Sequence, residues 1–270
     1  VVDVINQSDA AANQGSEAKL GVPSLSIDGY FDFGDLQLWY ISRFRERTFN
    51  DNNGHPSSGL NVTTSLYERS EGKEEDDIAA RFSTFSGDWD LAVSGFKGTA
   101  REPLITPNQD SSALNATYML QETIGFEAQF TGDPTLLKWE SLHGTQSGTG
   151  FDAAVAGLEY TLYGAFGQVW DLGLIAEGQY DTRPQAAAER FYSAGLRLVL
   201  NDVKDTSFLA LISQDQKQEQ SLIAFEASRR LNDWSSLELR CQFYDAQKNG
   251  LAFSGIADDD VISLTVNMFF

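Results

Sequence analysis

The chain has 270 residues, with 39 Asp plus Glu against 19 Lys plus Arg, for a formal net charge of −20. An apolar fraction of 41%, with 18 Phe, 9 Tyr and 5 Trp, excludes a disordered chain. The acidic balance argues against a nucleic-acid partner, and the one cysteine, Cys241, excludes an internal disulfide and a cysteine-based zinc site.

Residues 1–23 are rich in Asn, Ser, Gln and Asp and read as an exposed loop or N-terminal stub; residues 24–270 read as one domain of strands. In 24–34, Leu25, Ile27, Phe31 and Phe33 alternate with Ser26, Asp28 and Asp32; in 36–46, Leu36, Leu38, Tyr40 and Phe44 alternate with Gln37, Arg43 and Arg45. Strands follow at 77–87, 89–99, 118–131, 135–143, 151–164 and 169–180. Within them Ile124, Phe126 and Ala128 alternate with Thr123, Glu127 and Gln129, and Leu158, Tyr160 and Leu162 with Glu159 and Thr161. Four more are expected at 189–201, 206–213, 220–229 and 234–244; in 206–213, Phe208 and Leu209 compete for the apolar side. The last, 260–270, sets Ile262, Leu264, Val266 and Met268 against Ser263, Thr265 and Asn267. Period-two alternation marks strands with one apolar face. The count is about thirteen strands, with no long 3.6-residue periodicity and no apolar run of about 18 residues to make a transmembrane helix.

Short connections rich in Gly, Asp and Asn, such as Gly34-Asp35, Gly87-Asp88 and Gly132-Asp133-Pro134, suit tight hairpins. They alternate with mostly longer ones at 47–76, 100–117, 181–188 and 245–259, which places the long loops on one edge of the sheet. Two solvents for the apolar face compete. A soluble sandwich turns it inward to a core. A membrane barrel turns it outward to lipid and keeps the polar face in a lumen. Charged residues on strand after strand, short turns on one edge, and aromatics near strand ends (Trp89, Trp170, Trp234, Tyr180, Tyr244, Phe269) favour the barrel. The expectation is an all-β, antiparallel up-and-down transmembrane β-barrel.

At this point the chain resembles bacterial outer-membrane β-barrel proteins. Asn267-Met268-Phe269-Phe270, closing an alternating strand, looks like the C-terminal signal read by the barrel-assembly machinery, with Phe270 as its last residue. Gly34-Asp35-Leu36, the run from Arg43 to Phe49, and the run from Leu200 to Thr206 resemble a poorly characterised porin-like family of Gram-negative bacteria. The resemblance implies location in the cell outer membrane, among outer-membrane lipids and lipopolysaccharide, and brings no catalytic motif or cofactor. A barrel of even strand number whose last strand runs down to the periplasm implies, for about thirteen strands, a missing N-terminal portion of a larger barrel. The alternative is a short fourteenth strand at 1–5. The chain opens at Val1 with neither Met nor signal peptide and reads as a processed or trimmed product.

With the polar face inward, the expected lumen is lined by Arg43, Arg45 and Arg81, then by Glu127, Lys138, Glu140, Glu159 and Glu177, then by Arg197, Glu226, Glu238 and Arg240. An arginine wall facing an acidic wall sets a transverse field in a water-filled pore. The competing reading has these charges pairing across strands and plugging the lumen. Acid in the loops (Glu68, Glu71, Glu74, Glu75, Asp76 and Asp77; Asp258, Asp259 and Asp260) reads as solvated, with divalent bridging to lipopolysaccharide phosphates as the sharper alternative. Asp51-Asn52-Asn53-Gly54 lacks the closing acidic ligand of a calcium loop. Ser141 and His143 sit two apart near a strand end, His55 lies in a loop, and no nucleophile elbow is present, so no enzyme is expected. The expected function is passive or weakly selective passage of small polar solutes. The alternatives are an outer-membrane component of an export or lipid-trafficking assembly with a periplasmic partner, and a rim hydrolase; a homo-oligomer is left open.

Overall fold

The computed structural model describes residues 3–9, 19–51, 60–217, 219–248, 253–257 and 259–269. Expectations for His55, Asn52, Asn53, Gly54, Asp258 and Phe270 lie outside the described residues. Eighteen strands follow in chain order: β1 Gln7–Ser8, β2 Lys19–Leu20, β3 Ser24–Phe31, β4 Gly34–Ile41, β5 Val62–Tyr67, β6 Asp77–Ser86, β7 Trp89–Thr99, β8 Leu104–Pro107 and β9 Leu114–Tyr118. They continue with β10 Leu120–Gly132, β11 Thr135–Gln146, β12 Thr149–Ala165, β13 Trp170–Asp181, β14 Arg190–Val199, β15 Ser207–Asp215, β16 Gln220–Asn232, β17 Ser235–Ala246 and β18 Val261–Met268. One 3-10 turn, Gly72–Glu74, is the only helical element among the described residues, and none of its helices is long and apolar enough to cross a membrane.

The protein is all-β, with a thirteen-stranded sheet in the order β18-β17-β16-β15-β14-β13-β12-β11-β10-β7-β6-β4-β3. The pairs β3–β4, β4–β6 and β6–β7, and every successive pair from β13 to β18, are antiparallel. The end strands β3 and β18 each have one neighbour, and no pairing closes a ring among the described residues. The hairpins have the expected chemistry. Gly87, at φ +60°, makes the β6–β7 turn, a region that costs a side chain with a Cβ about 1–2 kcal/mol. The register settles the facing of β15: Phe208 opposes Leu198 and Ala227 on the apolar side, while Leu209 opposes Arg197 and Glu226.

The chain divides into two compact units. The first comprises Val1–Gln129, Trp139–Val155 and Asp181–Ala186; the second comprises Phe130–Lys138, Ala156–Tyr180 and Ala187–Phe270. In the first unit four expectations are corrected. Strand β4 ends at Ile41, not at residue 46, because Ile41 is fully buried and the chain then turns so that the Phe44 N–H donates to the Lys73 carbonyl. Phe44 therefore leaves the strand's apolar face and packs with Ala116 and Tyr118. The loops expected at 47–76 and 100–117 contain a second sheet, ordered β5-β9-β8, in which β5 and β9 run parallel. The segment expected to be an exposed loop is buried at Val4 and Gln7, and β1 pairs with β2. The β11–β12 connection is a two-residue turn at 147–148, so the long connections do not alternate strictly with short ones.

Burial differs between the units. Every fully buried apolar side chain of the described residues belongs to the first unit, in or near two clusters. The second unit leaves Leu158, Leu162, Leu174, Leu196, Ile223 and Leu264 exposed, each between 40% and 66%. Ordinary water-soluble sheets bury such faces, since each large side chain contributes about 1.5–3 kcal/mol when removed from water.

Candidate lumen and its cap

Charges on the polar face meet across strands. In the first unit, Arg81 on β6 holds Glu127 on β10 with two parallel bonds, Nε to Oε1 at 3.0 Å and Nη2 to Oε2 at 2.8 Å. This fork-to-fork geometry is the strong form of a carboxylate contact. Beside it Gln37 Nε2 donates to Asp28 Oδ1 at 3.2 Å, and Gln37 opposes Arg81 in the β4–β6 register.

In the second unit, Arg197 on β14 reaches over β13 to Glu159 on β12, with Nη1 2.9 Å from Oε1 and 3.2 Å from Oε2. Gly173 makes the reach possible. It opposes Arg197 directly, and a Cβ there lies 3.1 Å from Glu159 Oε1. Glu177 and Lys138 flank Gly157 on the same face: a Cβ there sits 3.9 Å from Glu177 Oε2 and 4.0 Å from Lys138 Cβ, an ordinary contact. Further along, Arg240 opposes Glu226, with Nε 3.8 Å from Oε1, and its Nη2 lies 3.7 Å from Glu238 Oε2. Asn267 Nδ2 donates to the other Glu238 oxygen at 2.9 Å. Within each unit these charges lie side by side as ion pairs.

Not all of the expected lining lies on strands. With β4 ending at Ile41, Arg43 and Arg45 lie beyond it: Arg43 Nη2 is 2.8 Å from Glu74 Oε1, and Arg45 Nη1 donates to the Gly21 carbonyl at 3.0 Å. Glu140 lies on β11 in the first unit and is engaged. The acidic segment before β6 is also more ordered than a solvated run. Glu68 accepts the Leu120 N–H and the Ser147 hydroxyl, and Glu75 lies 3.6 Å from Arg69. Asp77 is fully buried.

Asp77 and Arg101 anchor a cap over the polar face of the first unit. Arg101 Nη1 donates to Asp77 Oδ2 at 2.7 Å and to the Thr99 carbonyl at 2.8 Å, and Asp77 Oδ1 accepts the Thr99 N–H. Gly98 provides the room, since a Cβ there comes within 2.3 Å of Asp77 Oδ1. The Arg101 guanidinium carbon lies 5.3 Å from the ring centres of both Phe44 and Phe96. That contact with ring faces accounts for its Nη2, which is buried without a hydrogen-bond partner. Burial lowers the Arg101 pKa, opposed by the Asp77 carboxylate.

The N-terminal segment locks onto this residue. Arg101 Nε donates to the Ile5 carbonyl at 2.8 Å, and Gln7 Nε2 donates to the Arg101 carbonyl at 3.1 Å and the Arg45 carbonyl at 2.9 Å. Val4 packs into a cluster with Ala79, Phe96, Leu142, Phe151 and Ala153. Asp3 completes the hold through Lys19 at 2.9 Å and Asn6. Burial pushes its pKa up, but the bonds from Lys19 and Asn6 outweigh that and leave it below the usual value. Alongside, Phe44, Tyr67 and Tyr118 cluster on the second sheet, Tyr118 stacked on Tyr67 and edge-on to Phe44; burial pushes Tyr118 up to about 12, and its hydroxyl accepts the Arg47 N–H. Glu46 accepts the Tyr67 hydroxyl. Burial raises its pKa, and the Tyr67 bond and the Lys73 charge bring it net below the usual value.

Sequence reasoning missed the cap, although a signal for it exists. Phe96, Leu142 and Phe151 fall on the polar-face parity, while their neighbours Lys97, His143 and Asp152 fall on the apolar one. Near these strand ends the phase of the alternation inverts. The row on the apolar-face side is polar and exposed: Lys97 Nζ lies 2.6 Å from Glu122 Oε1, and His143 Nδ1 lies 2.7 Å from Asp152 Oδ1. Ser141, the neighbour expected for His143, instead accepts a bond from Trp139 Nε1 at 3.3 Å. Among the described residues no group of three or more His, Cys, Asp or Glu is arranged to hold a metal ion. No protein-family model, no curated protein and no solved structure matches the chain.

Proposed function

We propose that the protein is a porin-like β-barrel of the bacterial outer membrane, passing small polar solutes with weak selectivity. One observation carries this reading. The second unit exposes Leu158, Leu174, Leu196, Ile223 and Leu264 on one face of its strands and sets Glu159, Arg197, Glu226 and Arg240 on the other. Lipid around the first set and water around the second satisfy both. The end strands β3 and β18 have one neighbour each in the sheet order, and unpaired strand edges are costly in hydrocarbon, which is why membrane sheets close. Outer-membrane lipids and lipopolysaccharide are then the surroundings, and the barrel-assembly machinery is the partner that inserts the chain.

Paired lumen charges favour weak selectivity, because each fixed charge is largely cancelled by a neighbour within about one Debye length. Conductance in planar bilayers tests this. The proposal expects steady ohmic conductance, and Arg197→Gln, which frees Glu159, shifts selectivity toward cations. An ion flux indistinguishable from bare lipid contradicts it. One observation supports a second reading, a barrel whose role is docking in an export or lipid-trafficking assembly: Val4 and Gln7 cover the polar face of the first unit. A silent channel that co-purifies with a periplasmic protein selects that reading. A rim hydrolase has less support, since the Ser141 hydroxyl is engaged with Trp139.

A further inference from the structure

We propose that the polar face of the second unit holds a binding site for zwitterionic amino acids with an apolar side chain. The inference rests on the reading of that face as a wet lumen wall and names the solute class the wall takes. Several charges on this face are satisfied by one another: Arg197 by Glu159, and Arg240 by Glu226 and Glu238. Lys138 on β11 and Glu177 on β13 are not. Both are exposed, and among the described residues neither makes an ion pair or a hydrogen bond. They stand on either side of Gly157 on β12, where a built Cβ has only Lys138 Cβ, at 4.0 Å, and Glu177 Oε2, at 3.9 Å, within 4 Å. With no side chain at that point, one cation and one anion flank an open position. Opposite charges held apart in this way suit a group that carries both. An α-ammonium donates to the Glu177 carboxylate, and the adjoining α-carboxylate accepts from the Lys138 ammonium. A solute with one charge alone gains one of these contacts and is repelled by the other residue.

The apolar half of the site adjoins the charged half. Ile175 precedes Glu177 by two residues on the same face of β13; it opposes Gly195 on β14, which in turn opposes Leu211 on β15. The two aliphatic side chains converge over Gly195, since a Cβ built there lies 3.0 Å from Leu211 Cδ1 and 3.7 Å from Ile175 Cβ. They form a half-buried aliphatic bed on the face that carries Arg197 and Glu177. The bed begins on the strand next to Gly157, about 5 Å away across the sheet, within reach of a leucine-sized side chain whose α-carbon lies between Lys138 and Glu177. Covering the bed removes apolar surface from water on both partners. All six residues belong to the second unit.

The test uses the full chain folded in detergent micelles. Binding of L-leucine is followed by saturation-transfer difference NMR, and conductance is recorded in planar bilayers from the same preparation. The expected result is saturable binding of L-leucine, stronger than that of glycine, which lacks the side chain, and of leucinamide and N-acetyl-leucine, which each lack one charge. Glu177→Gln and Lys138→Gln each weaken leucine binding about tenfold, the worth of one charge-assisted hydrogen bond. Glu177→Lys combined with Lys138→Glu restores most of it. Leu211→Ser weakens leucine binding and leaves glycine unchanged. Leucine binding that is non-saturable, equalled by glycine, or indifferent to Glu177→Gln overturns the site. Ohmic conductance without the expected binding loses only this site. The expected binding without conductance keeps the site and loses the passage of solutes.

Discussion

Arg101 joins the two apolar clusters of the first unit to the N-terminal segment: it touches Phe44 and Phe96 with its guanidinium, Asp77 with one nitrogen and the Ile5 carbonyl with another. Its replacement leaves Asp77, which has no exposure, with only the more distant Arg69 guanidinium at 3.4 Å, and removing one partner of a buried pair costs up to about 3–5 kcal/mol. Arg101→Leu therefore lowers the unfolding free energy by that order in denaturant titration. Arg101→Leu combined with Asp77→Leu recovers only part of the loss: the desolvation of the second charge disappears with it, but Arg69 and the Thr99 N–H lose a partner. Asp3 gives the cap a dependence on acid. Its folded pKa is depressed, so its bonds to Lys19 and Asn6 contribute above the unfolded value and are lost as pH falls through the folded one. Below about pH 4, hydrogen exchange at Ile5 and Gln7, corrected for intrinsic rate, accelerates in the native chain, and Asp3→Asn is fast at both pH values. Equal acceleration in both chains contradicts the assignment. No residue of this site is conspicuous in the sequence: Asp77 reads as one more acid in a run of acids, and Arg101 as one more loop base. Only their burial, set by chain segments nearly a hundred residues apart, gives them a role.

Elements were legible in proportion to their periodicity. Trp89–Thr99 on β7 has the expected bounds, and the other main strands differ by a few residues, because a half-buried strand writes its facing into every second side chain. The short strands β5, β8 and β9 were not legible. Val62–Tyr67 has three polar residues in a row, and a parallel partner just over fifty residues on in the chain, Val62 opposing Leu114, leaves no hairpin signal. What holds that second sheet is a triangle of rings: Tyr118 stacks on Tyr67 at 5.5 Å and meets Phe44 edge-on at 4.8 Å, and Phe44 meets Tyr67 edge-on at 6.1 Å, centre to centre. Tyr118→Ala removes the most buried of the three rings and costs about 3–5 kcal/mol locally. The expected signature is faster proteolysis within residues 104–118, with the strand signal of the main sheet in far-ultraviolet circular dichroism unchanged. Loss of both together shows that the second sheet is not an independent layer. The charged face was legible as a face, but its pairings were not. Arg197 finds Glu159 only because Gly173 lies between them, a steric fact that emerges once three strands are in register.

For the whole molecule, the account turns on which solvent meets the exposed leucines and isoleucines of β12 to β18. Net charge and aromatic content suit either an acidic soluble sheet or an outer-membrane one, and the twofold period is the same in both. The decisive difference is the environment of alternate residues. Single cysteines introduced as Leu196→Cys, Ile223→Cys and Leu264→Cys, and as Arg197→Cys, Ala224→Cys and Ser263→Cys, all in a Cys241→Ala background, can carry a fluorescent label into lipid bilayers. The account predicts that brominated acyl chains quench the first three and that aqueous iodide quenches the last three. Labels at Leu196, Ile223 and Leu264 that escape brominated lipid and stay shielded from iodide in detergent-free buffer contradict it, because those side chains then face a protein core.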